Sequence, residues 1–174
     1  MTLINFDDQP NGYNYINDGY AGLNWINLRT LDSLSYNSCT ETGYLYGNVS
    51  PNRVAYNDVA NDGAPGTIWS ATSFSVKSFY GTAAWKSNLE LTVTGYQGST
   101  NGLGGTLVGT YTVTLPSPSD GAQFHDLDAS NSNVSGKFND IDRLYIETSG
   151  GTAPYACNNP AHGAIAIDDL NVIF

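Results

Sequence analysis

The feature that most limits the fold is a two-residue alternation. In Leu89-Glu90-Leu91-Thr92-Val93-Thr94 every second residue is apolar, and Leu107, Gly109, Tyr111 and Val113 oppose Val108, Thr110, Thr112 and Thr114 in the same way. A period of two sends successive side chains to opposite faces of a strand, so such stretches read as strands with one buried face. No segment sustains a helical period. Strands are expected over 67–70, 73–85, 89–96, 106–115, 123–127 and 141–148, separated by Gly, Pro, Ser and Asn. Leu144 and Ile146 then point inward and Tyr145 and Glu147 outward, while Leu23 and Trp25 fall on one core face. Many short strands at this spacing predict an all-β antiparallel sandwich, and with both chain ends in one sheet a jelly roll is the natural form. A chain of 174 residues suits one sizeable core, so a single domain over 1–174 is expected.

The last eleven residues, 164–174, read as a strand that is mostly apolar on both faces and charged only at Asp168 and Asp169. A strand buried on both sides carries a charge only when that charge has a partner. The opening stretch Leu3-Ile4-Asn5-Phe6-Asp7-Asp8 is built alike. If the two end strands are neighbours, Asp7, Asp8, Asp168 and Asp169 converge with no Lys or Arg close in sequence. Carboxylates packed so closely call for a hard cation, Ca2+ first, because its ligands are carboxylate and carbonyl oxygens. The alternative is that these aspartates sit at strand ends facing water.

Charge narrows the partners. The formal net charge is −10 and the pI about 4.1, so a phosphate backbone is repelled and nucleic acid is not expected as a partner. No apolar run approaches the roughly twenty residues that span a bilayer, and no membrane insertion is expected. Only 13% of residues are charged, against about 25% in an average globular protein. Asn, Ser, Thr and Gly take the polar positions, a surface typical of secreted and cell-wall proteins. The N-terminus shows no basic region followed by an apolar one, so a signal peptide is not expected within this sequence, and a Met before Thr2 suits a mature secreted domain as well as a cytosolic protein. Cys39 and Cys157 lie in loops rich in Asn, Thr and Gly, and a disulfide between them is the preferred reading, with two reduced thiols as the alternative. Such a bridge stabilises by up to ~4–5 kcal/mol in the chain-entropy account. Asn48-Val49-Ser50 and Asn133-Val134-Ser135 match the N-glycosylation acceptor pattern.

Residues 35–52 are the least regular stretch, and a loop of that length is usually functional or disordered. Tyrosines in loops give large contact area at low entropy cost. Their rings stack on the C–H faces of sugars while Asn side chains bond to neighbouring hydroxyls. Tyr36, Tyr44, Tyr46 and Tyr155, with Asn37 and Asn158, form the expected ligand site, gathered by the Cys39–Cys157 bridge. The face carrying Glu90, Thr92, Tyr111, Tyr145 and Glu147 is a second candidate, better shaped for an extended glycan. For catalysis Glu90 and Glu147 are the best carboxylate pair available, and His125 and His162 read as surface or loop residues. No Gly-X-Ser-X-Gly elbow, zinc-binding His-Glu-X-X-His helix or phosphate-cradling loop is present.

The framework Phe6-Asp7-Asp8, Gly22-Leu23-Asn24-Trp25, Ala83-Ala84-Trp85, Val93-Thr94-Gly95-Tyr96 and Ile167-Asp168-Asp169-Leu170 resembles a group of secreted fungal and bacterial jelly-roll proteins. Its two ends are similar to those of MAM-type domains and of calcium-containing carbohydrate-binding modules. That resemblance implies a structural Ca2+ with Asp7 and Asp168 as side-chain ligands and Asp8 and Asp169 beside them. Together these readings predict a secreted carbohydrate-binding protein, a lectin or a carbohydrate-binding module, whose partners are glycans or cell-wall polysaccharide. Two alternatives stay open: a structural or adhesive protein of a cell wall or spore surface, and a small glycan-active hydrolase or lyase.

Overall fold

A computed structural model describes residues 1–35, 42–57, 64–128, 130–152 and 163–174. Tyr36, Asn37, Cys39, Tyr155, Cys157, Asn158 and His162 lie outside the described residues, and with them the expected disulfide and most of the expected loop site. In chain order the strands are β1 (Thr2–Ile4), β2 (Asn14–Tyr15), β3 (Asn24–Ile26), β4 (Leu28–Asp32), β5 (Arg53–Asn57), β6 (Gly66–Ala83), β7 (Ser87–Gln97), β8 (Thr106–Leu115), β9 (Gln123–Asp126), β10 (Val134–Gly136), β11 (Ile141–Thr152) and β12 (Ile165–Ile173). One short helix, α1 (Gly43–Tyr46), lies between β4 and β5.

All pairings are antiparallel, and they build two layers that share one strand. The first half of β6 pairs with β11 and β3, which with β7, β8 and β10 form what we call the open sheet. The second half of β6 pairs with β12 and β9, and β12 continues to β5, β4 and β2 in the roofed sheet. Two separate strands were expected over 67–70 and 73–85. The chain instead runs through, and its register slips between Trp69 and Phe74, opposite Arg143 and Ile141. Ala71, Thr72 and Ser73 are exposed at that corner, with Ser70 Oγ accepting from the Thr72 amide at 3.2 Å. Strands that change sheets do so at bulges or bends of this kind, and the small polar residues that looked like a strand break are what the bend consists of.

The expected all-β jelly-roll sandwich with neighbouring ends is therefore what forms: β1 lies antiparallel to β12, with Ile4 opposite Leu170 and Thr2 opposite Val172. Between the layers sits the main core, including Leu23, Trp25, Leu89, Leu91, Val93, Leu144, Ile146, Ile165, Ile167 and Leu170. Strand β12 is buried on both faces, as its apolar run requires, because Ala166 and, just before the strand, Ala164 join a second cluster with Leu31, Tyr44, Val54, Tyr56, Ala84 and Trp85. Helix α1 and the chain after it roof this cluster. A Cβ at Gly43 would lie 2.0 Å from the Ala83 carbonyl oxygen, so only glycine lets the helix settle this close to β6.

One polar contact crosses the main core. His125 on β9, 3% exposed, faces Tyr111 on β8, whose hydroxyl lies 2.9 Å from Nδ1. The Gly81 carbonyl is 3.4 Å from Nε2 and can only accept, so Nε2 carries the proton and Nδ1 accepts from Tyr111. Burial pushes the imidazole down to about 4, so it is neutral at ordinary pH. The expectation of a surface histidine is corrected here: the alternation of β9 turns His125 inward, where the ring packs on Phe79 at 4.8 Å.

Candidate functional site on the open sheet

Of the four carboxylates expected to share an ion, Asp169 feels the charges of both Asp168 and Asp7. Asp168 is fully buried, and its oxygens accept from the amides of Val49, Ser50 and Asp169, all at 2.8 Å, and from the Ser50 hydroxyl at 2.9 Å. Burial pushes this carboxyl up, and the Ser50, Val49 and Asp169 donors pull against that shift. The partner that a charge on a buried strand demands is thus a nest of N–H and O–H donors. Asp7 accepts from the Asn52 amide at 3.0 Å, and Asp8 from the Tyr20 hydroxyl at 2.8 Å. Asp169, at a left-handed φ of 48°, has Oδ1 buried with no hydrogen-bond partner. Its carboxyl is pushed up by burial first and then by the charges of Asp168 and Asp7. Among the described residues no group of three or more His, Cys, Asp or Glu side chains is arranged to hold a metal ion.

The loop tyrosines divide. Tyr44 is 1% exposed and packs edge-on to Tyr56 and Trp85, with centroids 5.2 and 5.6 Å away. An open stacking ring was expected there, and the second core takes it instead. Tyr46 is 40% exposed. Asn48 donates to the Pro51 carbonyl and Ser50 is held by Asp168, so the first glycosylation pattern is tied into the structure, whereas Asn133 is exposed.

The outer side of the open sheet is arranged in rows across the strands. One row runs Asn24, Trp69, Arg143, Tyr96, Leu107, following the pairings β3–β6–β11–β7–β8. The next runs Ile26, Thr67, Tyr145, Thr94, Thr110, and beyond it lie Glu147 with Thr92 and Ser149 with Glu90. Alternation sets this arrangement: Leu144, Ile146, Val93 and Ile68 enter the core, so their neighbours face out. Glu90, Thr92, Tyr145 and Glu147 share this face as expected. Tyr111 does not, because it pairs with the inward Val93 and is 2% exposed.

At the centre of the aromatic row the Arg143 guanidinium lies 3.8 Å over the Tyr96 ring and 5.8 Å from that of Tyr145. Such stacking fixes a cation in place. The β7–β8 loop closes one side. Asp142 accepts the amides of Gly98 at 2.6 Å and Ser99 at 3.0 Å, which draws the loop back, and a Cβ at Gly102 would meet the Trp69 ring at 2.6 Å. Two polar atoms here are buried without a hydrogen-bond partner, Thr94 Oγ1 and Arg143 Nε. Trp69, Tyr96 and Arg143 had not been singled out as site residues from the sequence. Each lies in a run of alternation, and outward aromatics within such a run were the signal available. Glu90 and Glu147 lie diagonally on adjacent strands of this face.

No protein-family model matches the chain, and no curated protein matches it. Among solved structures it is similar to the K2 cleaved adhesin domain of Lys-gingipain, with a TM-score of 0.55 and 12% identity over 99% of each chain. A looser likeness is to TmCBM61 in complex with β-1,4-galactotriose, with a TM-score of 0.43 and 8% identity over 93% of this chain and 99% of that one. At these identities the first comparison establishes the fold, a β-sandwich.

Proposed function

We propose that this protein is an extracellular glycan-binding module whose site is the outer face of the open sheet. The observation that supports this most is the pair of half-buried rings, Tyr96 and Tyr145, near Arg143 on an outer face that also carries Trp69, Asn24, Thr92 and Thr110. Apolar ring faces suit sugar C–H surfaces, and hydroxyls beside them suit sugar hydroxyls. A glycan array is the direct test. Binding to a defined set of glycans is expected, with loss of signal in Tyr145→Ala, and silence across plant, fungal and animal glycans would remove the reading.

A structural cation belongs to the same proposal, on a changed ligand set. Asp168 has its oxygens filled by donors, so the acceptors that fit a hard cation are those left without partners: Asp169 Oδ1, Asn171 Oδ1 and Asn48 Oδ1, on the two segments that Asp168 ties together. Asp7, whose charge acts on Asp169, is the fourth. Oxygen-only donors of this kind suit Ca2+. Added Ca2+ is expected to raise the melting temperature of the wild type and to leave Asp169→Asn unmoved. A melting curve indifferent to both Ca2+ and chelator would rule the ion out.

A further inference from the structure

We infer that the glycan read by the open sheet is acidic, with a uronate carboxylate bound by Arg143; this rests on the glycan-binding reading above. Among the described residues the one hydrogen bond that the Arg143 guanidinium makes is a long contact of 3.4 Å from Nη1 to the neutral Gly102 carbonyl, and Nε is buried without a partner. The neighbouring Asp142 is taken by the amides of Gly98 and Ser99. A guanidinium stripped of part of its water and paired with no carboxylate favours an incoming anion. Because Nε is closed off, the terminal nitrogens are the ones a ligand reaches. Their planar geometry matches the two oxygens of a carboxylate.

Net charge argues the other way and has to be weighed. Glu147 is the nearest acidic residue further along the same strand face, four residues on, or about 13 Å at strand spacing. The screening length at physiological ionic strength is about 8 Å, so its repulsion at Arg143 is largely screened. A ligand lying along the aromatic row crosses the strands and stays clear of both Glu147 and Glu90. Asp142 is closer, but its oxygens are turned to the Gly98 and Ser99 amides, so the guanidinium is the charge that a short acidic oligosaccharide on the aromatic row meets.

The test uses calorimetric titration of the full chain with trigalacturonic acid and with its methyl ester, which keeps the sugar skeleton and removes the charge. The acid is expected to bind about ten- to a hundredfold more tightly than the ester, the usual size of a charge-assisted contact. That advantage should shrink at high salt and vanish in Arg143→Gln, while Arg143→Lys keeps part of it. A sulfated neutral trisaccharide separates the two anion types, and equal or tighter binding of the sulfate would overturn the carboxylate assignment. Equal binding of acid and ester, or an equal loss of both in Arg143→Gln, would overturn the inference and leave the glycan reading standing. Failure of every glycan on the array would remove both. The salt dependence of the unmodified protein keeps the test decisive even if Arg143→Gln does not fold.

Discussion

The two outer faces of the sandwich have the same backbone plan and opposite fates. On the roofed sheet, helix α1 and the chain after it turn the outer side into a second core, with Tyr44 packed at 1% exposure and Asp168 at zero. On the open sheet, Tyr96, Arg143 and Tyr145 keep part of their surface in water. A covered face packs its rings into its own chain, and an open face leaves its rings within reach of another molecule. Aromatic content alone does not tell them apart, since both faces carry tyrosines and a tryptophan.

The largest effect expected is on the roofed side. Asp168→Ala leaves the buried amides of Val49 and Ser50 without an acceptor, and a loss of about 2–6 kcal/mol is expected, at about 1–3 kcal/mol for each donor left unsatisfied. Chemical denaturation measures it, and a loss below about 1 kcal/mol would break the comparison. Next comes acid. With His125 held down to about 4 against 6.5 when unfolded, the unfolded chain takes up a proton that the folded one refuses. The contribution of His125 is therefore full above pH 6.5 and is lost as pH drops towards 4, about 3 kcal/mol from this group. His125→Phe should flatten that part of the profile. A smaller effect, about 1 kcal/mol, is expected for Tyr111→Phe, which removes one buried hydrogen bond between the layers. The smallest stability change belongs to the open face: Tyr145→Ala should stay within about 0.5 kcal/mol while glycan binding is lost. A large destabilisation there would mean that Tyr145 serves the fold as Tyr44 does.

Much of the fold was legible before the coordinates, for a physical reason. Alternation is a local property, and it placed Leu89, Leu91, Val93, Leu144 and Ile146 inward and Tyr145 and Glu147 outward, as found. The burial of Trp25 follows from the same logic, while the pairing of the two end strands was expected from their matching apolar and acidic make-up. The site was less legible. Tyr44 looked like a binding ring because it sits in an irregular, tyrosine-rich stretch, and nothing local says that this stretch folds back as a roof. Tyr111 was put on the wrong side because one strand's alternation does not say which of its two faces is inner.

By itself the sequence determined that the chain builds strands, which residues share a strand face, that its ends carry acidic pairs, and that phosphate-rich partners are disfavoured by charge. Tertiary structure alone decided the partners: that Asp168 is answered by the amides of residues 49 and 50, that His125 meets Tyr111 across the core, and that Arg143 stacks on Tyr96 with Tyr145 near by. Periodicity is written in neighbouring residues, so one strand suffices to read it. A contact between residues 118 or 119 positions apart depends on how every intervening strand pairs, and that is settled only when the sheets close on one another.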